Sequence, residues 1–141
     1  MKYHFRIHEE EGFWAECIEL EGCMTQAETI AELCENMYEA LNLFIEEPEG
    51  SQALVPLPDP SIKTSRGVVE VGVDPRVAFA FLVRSNRLQR GLTQQEMAAR
   101  MGFDQVYSYQ RLENKCNPSL TTITKIKEVF PDFSIDFAIS P

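Results

Sequence analysis

The sequence predicts an α+β protein: an N-terminal sheet-and-helix domain in the order β-β-β-α-β, an all-α domain after it, and a short C-terminal strand. Three observations lead there. Residues 2–8 alternate polar and apolar, the period of a half-buried strand. Thr29 and Thr93 are each followed three places on by a glutamate, the pattern that opens a helix. The charge is also segregated. Residues 1–50 hold 13 acidic and 2 basic side chains, residues 51–74 hold 3 and 2, and residues 75–141 hold 6 and 9, within a total of -9. Such asymmetry points to separate partners, nucleic acid for the basic end and something basic for the acidic end.

In KYHFRIHEE, Tyr3, Phe5 and Ile7 alternate with Lys2, His4, Arg6 and His8 and define the first strand. A second strand follows, with Phe13, Ala15 and Cys17 on one face and Trp14, Ile18 and Leu20 on the other; Glu10 to Gly12 is its hairpin loop. CMTQAE supplies a short third strand. Thr29 then caps a helix that runs to Glu47, with Ile30, Leu33, Cys34, Met37, Tyr38, Leu41, Phe44 and Ile45 as an apolar stripe for packing on the sheet. Residues 48–67 form a Pro-rich loop on Pro48, Pro56, Pro58 and Pro60, and Val68 to Val73 returns as a strand to the same sheet. The first domain therefore covers 1–74.

The second domain covers 75–131. Asp74 as N-cap, Pro75 at the first helical position and Gly91 past the end delimit its first helix. Thr93 and Glu96 open a short helix over Gln94–Met101. Ala98 and Gly102 then suit a helix-turn-helix, which needs a small residue where the helices cross and an unconstrained one in the turn. Asp104 is the expected cap of the next helix. Tyr109 and Leu112 face inward there, leaving Gln105, Tyr107, Ser108, Gln110 and Arg111 outward, towards a major groove. Arg84, Arg87, Arg90, Arg100 and Lys115 would supply the field that displaces counterions from phosphate. Asn117, Pro118 and Ser119 open a last helix with Leu120, Ile123, Ile126, Val129 and Phe130 inward. In the tail, 132–141, Phe133, Ile135, Phe137 and Ile139 alternate with Ser134, Asp136 and Ala138, a strand that either pairs with a second copy, as a dimerisation element, or packs on the helices.

Several functions are disfavoured. Cys17, Cys23, Cys34 and Cys116 form no C-x-x-C pair and read as reduced, mostly buried thiols. His4 and His8 are about 13 Å apart at strand rise and cannot share one metal ion; both read as solvent-facing. Glu9, Glu10 and Glu11 read as a solvated hairpin rather than a metal site. No nucleophile has a base partner and no phosphate loop is present, so no catalytic residue, metal or cofactor is expected. No apolar run reaches the roughly 18 residues that span a bilayer, and the N-terminus alternates where a signal peptide would be apolar; the expected location is the cytoplasm.

Two resemblances sharpen these expectations. LTQQEMAARMG, RLEN and NPSL, within about Val77 to Phe130, resemble the helix-turn-helix of phage-repressor-like (XRE-type) regulators. The spacing departs from that pattern by one residue between Gly102 and Leu112 and again between Glu113 and Asn117. The likeness implies a phosphate contact at Gln94, base or phosphate contacts at Gln105, Tyr107, Ser108, Gln110 and Arg111, and a cation at Lys115. It also implies a paired, palindromic operator and at least a homodimer. FWAECIELEGCMTQAETIAELCENMYEAL resembles the N-terminal domain of HicB-type antitoxins, with Glu21-Gly22-Cys23 as the turn, Thr25 to Thr29 as the segment after it, and Ala27 where glycine is usual. That family implies a truncated RNase H-like fold without the carboxylates of a two-metal nuclease, binding of a small basic HicA-type mRNA-cleaving toxin, and repression of its own operon.

Under this reading an acidic surface competes for the toxin's RNA-gripping face. The expected toxin contacts are Glu9, Glu10, Glu11, Trp14, Glu16 and Glu19; Trp14 serves either as an apolar anchor or as core. Two other readings differ in class. One is a stand-alone repressor with a ligand-sensing first domain. The other, ranked last, is a hydrolase on the sheet.

Overall fold

The computed structural model describes residues 1–46 and 52–140, and its elements follow the alternation and capping signals closely in the first half. Four strands and one helix build the first unit, residues 1–45 with 55–74: β1 (Lys2–Glu9), β2 (Phe13–Cys17), β3 (Met24–Ala27), α1 (Ile30–Ile45) and β4 (Val68–Gly72). The strands form one antiparallel sheet in the order β3-β2-β1-β4. Phe5 lies opposite Cys17 and Ile7 opposite Ala15 on one side of β1; Tyr3 lies opposite Val71 on the other. The β1–β2 turn uses Glu11 at φ 48 and Gly12 at φ 107, a left-handed pair for which glycine at the second position removes the Cβ strain.

Residues directly across a sheet share a face. Tyr3, Phe5, Ala15, Cys17 and Val71 therefore point to one side. These side chains and Leu33, Met37, Leu41 and Ile45 of α1 are all buried and form the core of this unit. Thr29 caps α1 as expected, its hydroxyl accepting the Glu32 amide proton at 3.2 Å. The apolar stripe of α1 is wider than the surface that covers it. The ridge 33-37-41-45 is buried, while Ile30, Cys34 and Tyr38 stay exposed. The helix ends at Ile45, and Glu47, Pro48 and Gly50, on which part of the helix and loop expectation rested, lie outside the described residues.

The second unit, residues 46, 52–54 and 75–140, is helical: α2 (Pro75–Gln89), α3 (Gln94–Arg100), α4 (Val106–Gln110) running into a 3-10 turn (Arg111–Glu113), α5 (Leu120–Val129) and α6 (Ile135–Ile139). Val77 to Arg84 are buried without interruption, so α2 is buried on every side over two turns. Gly91 at φ 66 ends it. Ser119 caps α5 through the Thr122 amide. Ile126 and Phe130 turn inward from α5, but Leu120, expected on that inner face, is 83% exposed. As the first residue of the helix, it precedes the ridge that packs.

The C-terminal segment is a correction. The expected strand is the short helix α6, with Ser134 as its N-cap accepting from the Phe137 amide at 3.3 Å. A lone strand would leave its backbone groups unpaired, whereas a helical turn pairs them internally. Phe133 and Ala138 take the buried positions, and Phe133 meets Phe79 edge-on at 5.8 Å between ring centres. The exposed positions go to Phe137 and Ile139, which the alternation had placed on the same face as Phe133. Beside them runs an apolar groove of about 350 Å³ lined by Phe79, Pro118, Leu120, Ile123 and Ile139. Among the described residues no helix is long and apolar enough to cross a membrane.

Burial on α1 sets a direct stability contrast. Leu41 is fully buried and Leu43 is not. Leu41→Ala is expected to lower the unfolding free energy by about 2–5 kcal/mol, and Leu43→Ala to change it by about 0.5 kcal/mol or less, both read by urea denaturation. All four thiols are free; Cys17 and Cys23 are buried and Cys116 half-buried, and Cys34 is the exposed exception to the expected burial. Thiol titration of the native protein should therefore modify Cys34 first and reach Cys17 and Cys23 only on unfolding.

Candidate functional site

The helical element that the sequence singles out starts at a complete capping box. Thr93 accepts the Glu96 amide proton at 3.0 Å, and Glu96 accepts the Thr93 amide proton at 3.3 Å. Met97 and Ala98 face inward from α3. The chain then turns through Met101 and Gly102, the latter at φ 76, and the Phe103 amide donates back to the Ala98 carbonyl at 2.9 Å. Gln105, not Asp104, occupies the N-cap of α4, in extended backbone and without a side-chain cap bond. The expected cap at Asp104 sits one residue too early, because the helix begins at Val106.

From α4 the side chains separate by face. Tyr109 and Leu112 are buried, while Gln105, Tyr107, Ser108 and Arg111 are exposed, Tyr107 at 63%. Gln110 is half-buried and donates from Nε2 to Gln94 Oε1 at 3.0 Å. This bond joins the first residue of α3 to the last of α4, so Gln94 and Gln110 belong to one surface. Both line an open cleft of about 590 Å³, along with Thr93 and Val106. Lys115 is exposed in the loop after the 3-10 turn.

The orientation of α4 is held from beneath. Arg87 of α2, 1% exposed, makes a two-pronged contact with Glu113: Nε to Oε2 at 2.7 Å and Nη2 to Oε1 at 3.0 Å. Its Nη1 donates to the Leu92 carbonyl at 2.9 Å. Burial works to lower the guanidinium pKa, but the Glu113 hydrogen bond and charge outweigh it and hold the group above its ordinary value. Burial pushes the Tyr109 hydroxyl upward, with the Glu113 charge adding to it. The Tyr109 hydroxyl is buried without a hydrogen-bond partner among the described residues.

The basic field is smaller than the sequence implied. Arg84 and Arg87 are buried, the latter committed to Glu113. Arg90 bonds Asp132 at 2.8 Å and lies 4.4 Å from the centre of the Phe130 ring. Of the cations in that reading, Arg90, Arg100 and Lys115 are exposed, Arg90 already paired with Asp132, and Arg111 joins them from the outward set. Charge patterning counted cations correctly but could not tell which of them fold inward onto a carboxylate.

The acidic candidates also divide. Glu9, Glu10 and Glu11 are exposed at the β1–β2 hairpin. Trp14 lies on the sheet face turned away from α1, directly opposite His8, and the two rings stack at 3.9 Å and 15°. His8 Nε2 is 3.3 Å from Glu16 Oε1. Trp14 is half-buried against His8 and sits outside the apolar core that α1 covers. Glu19 does not join this surface. Its side chain is 3% exposed and accepts from the His4 amide at 2.9 Å and the Asp59 amide at 3.2 Å, with His4 Nδ1 at 2.8 Å. His4 is accordingly buried and not solvent-facing; of the two histidines only His8 is even partly open. Sequence alternation missed this cluster because Glu19 lies beyond the end of β2, where the strand period no longer assigns a face.

Two buried acceptors thus carry measurable weight. Glu113→Leu leaves Arg87 buried without its counter-charge and is expected to cost about 3–5 kcal/mol; adding Arg87→Met should recover most of it. Glu19→Ala should cost about 1–3 kcal/mol by leaving the buried His4 amide and ring without their acceptor, while alanine at Glu9, Glu10 or Glu11 should cost about 0.5 kcal/mol or less. Denaturant melts of each variant check all of these.

No family model matches the chain, and no curated protein matches it.

Proposed function

We propose that this chain is a two-surface binding protein without catalysis of its own: an antitoxin of the HicB type that also represses its own operon. The second unit acts as a helix-turn-helix, with α3 crossing the DNA backbone and α4 presented to the major groove. Gln94 and Gln110 form the shared polar corner, Gln105, Tyr107, Ser108 and Arg111 approach bases and phosphates, and Lys115 adds a phosphate contact. A palindromic operator would be read by a homodimer or higher oligomer. The first unit, a truncated RNase H-like sheet in this reading, neutralises a small basic HicA-type mRNA-cleaving toxin in the cytoplasm. Its contacts are Glu9, Glu10, Glu11, Trp14 and Glu16; Glu19 is withdrawn from that set because it is consumed internally.

The observation that carries the reading is the sorting of α4. Four polar or aromatic side chains remain exposed on a two-turn segment whose inward residues are locked by a buried ion pair. Tyr107 and Arg111 stand four residues apart on this exposed side, a pair suited to meeting base edges and phosphate together. Phosphate contact makes binding salt-dependent. The affinity of the purified protein for DNA upstream of its own reading frame should fall steeply between low and physiological salt. Arg111→Ala should flatten the slope of log affinity against log salt by about 1. A salt-independent affinity would remove the DNA-binding half of the proposal. For the acidic half, Trp14→Ala should weaken binding of the co-encoded basic protein with the melting temperature unchanged; loss of both would make Trp14 a folding residue.

A further inference from the structure

Ile30, Cys34 and Tyr38 recur every four residues along α1 and so form a single ridge on it. The ridge 33-37-41-45 beside it is buried under the sheet, but these three are exposed, Tyr38 at 45%. One residue on from Cys34 and Tyr38 stand Glu35 and Glu39, which occupy the adjoining ridge and are also exposed. The charged side chains of α1 itself, Glu32, Glu35 and Glu39, are all acidic. From Ile7 to Ile62 the sequence contains fourteen aspartates and glutamates and no lysine or arginine. An aromatic and aliphatic strip with Glu35 and Glu39 along one side complements a surface with an apolar centre and a lysine or arginine rim. Nucleic acid and acidic proteins are repelled from it. A second copy of this chain is disfavoured as well, because pairing the strip with itself would set glutamates against glutamates.

We infer that the Ile30–Cys34–Tyr38 ridge of α1, with Glu35 and Glu39 beside it, is a docking surface for a small basic protein, with Tyr38 as its anchor. This rests on the reading of the first unit as toxin-binding and adds a helical contact to the hairpin and Trp14 surface. Tyrosine suits the role: it buries a large apolar ring at low conformational cost and keeps a hydroxyl for a polar rim.

The test uses the full chain and, as probe, the purified small basic protein encoded beside it, titrated calorimetrically. Tyr38→Ser is expected to weaken binding roughly tenfold or more with an unchanged melting temperature. Glu35→Gln with Glu39→Gln is expected to slow association and reduce its salt dependence. Leu120→Ser, at an exposed apolar side chain of the second unit, should leave the affinity unchanged. Wild-type affinity in Tyr38→Ser would overturn the surface while leaving the antitoxin reading in place. Absence of binding by the unaltered chain would overturn both. Conversion of a dimer to a monomer by Tyr38→Ser in sedimentation would show that a second copy occupies the ridge, and the inference would fall.

Discussion

The second unit depends on one buried ion pair. Arg87 and Glu113 are 26 residues apart in sequence and almost wholly removed from water, yet their contact is two-pronged and its spare donor reaches the Leu92 carbonyl. Two charges taken out of water are tolerated only with that degree of satisfaction. The consequence is geometric. Glu113 closes the 3-10 turn that follows α4, so fixing Glu113 to α2 fixes the roll of α4. Tyr109 and Leu112 are then inward, and Tyr107, Ser108 and Arg111 have nowhere to go but outward. An apolar contact of the same size could stabilise the unit as well or better. It would not define the rotation of α4 as sharply, because apolar packing is non-directional and a bidentate bond is not.

The first unit solves a similar problem with a carboxylate that has left the surface. Glu19 collects two backbone amide protons and the His4 ring, and one of those amides belongs to Asp59 in the long segment between α1 and β4. The Tyr3 hydroxyl donates to the Pro56 carbonyl at 2.7 Å in the same stretch. A proline-rich segment cannot build a ladder of its own, since proline has no amide proton to give. Side chains from the sheet supply the missing partners instead. Glu19 is therefore structural, whereas Glu9, Glu10, Glu11, Glu35 and Glu39 remain in water.

That division bears on what the acidity is for. Net negative charge as such only keeps a protein soluble and tunes encounter. Placed around exposed aromatic and aliphatic side chains, it selects the sign of a partner. Trp14 stacked on His8 and Tyr38 on α1 are both aromatic, both partly open, and both lie in the span that contains no cation. The cationic end of the chain shows the opposite economy. Arg84 and Arg87 are spent inside the fold, and a smaller number of its cations remains in solvent.

The local elements were legible before any fold was known. The alternation in β1 and β2, the threonine caps of α1 and α3, the left-handed glycines at 91 and 102 and the inward placement of Tyr109 and Leu112 all rest on interactions within a few residues, which neighbouring letters specify. Sheet order, the withdrawal of Glu19 and His4, the Arg87–Glu113 pair and the exposure of the Ile30–Cys34–Tyr38 ridge emerge only once the chain is folded. Each depends on a partner 15 or more residues away, or on how much of a helix its sheet can cover. The C-terminal segment shows the boundary between the two. Its alternation over seven residues suits a strand, but a strand needs a neighbour and a helix does not. With Ser134 to cap it and Phe79 to receive Phe133, the helix prevailed.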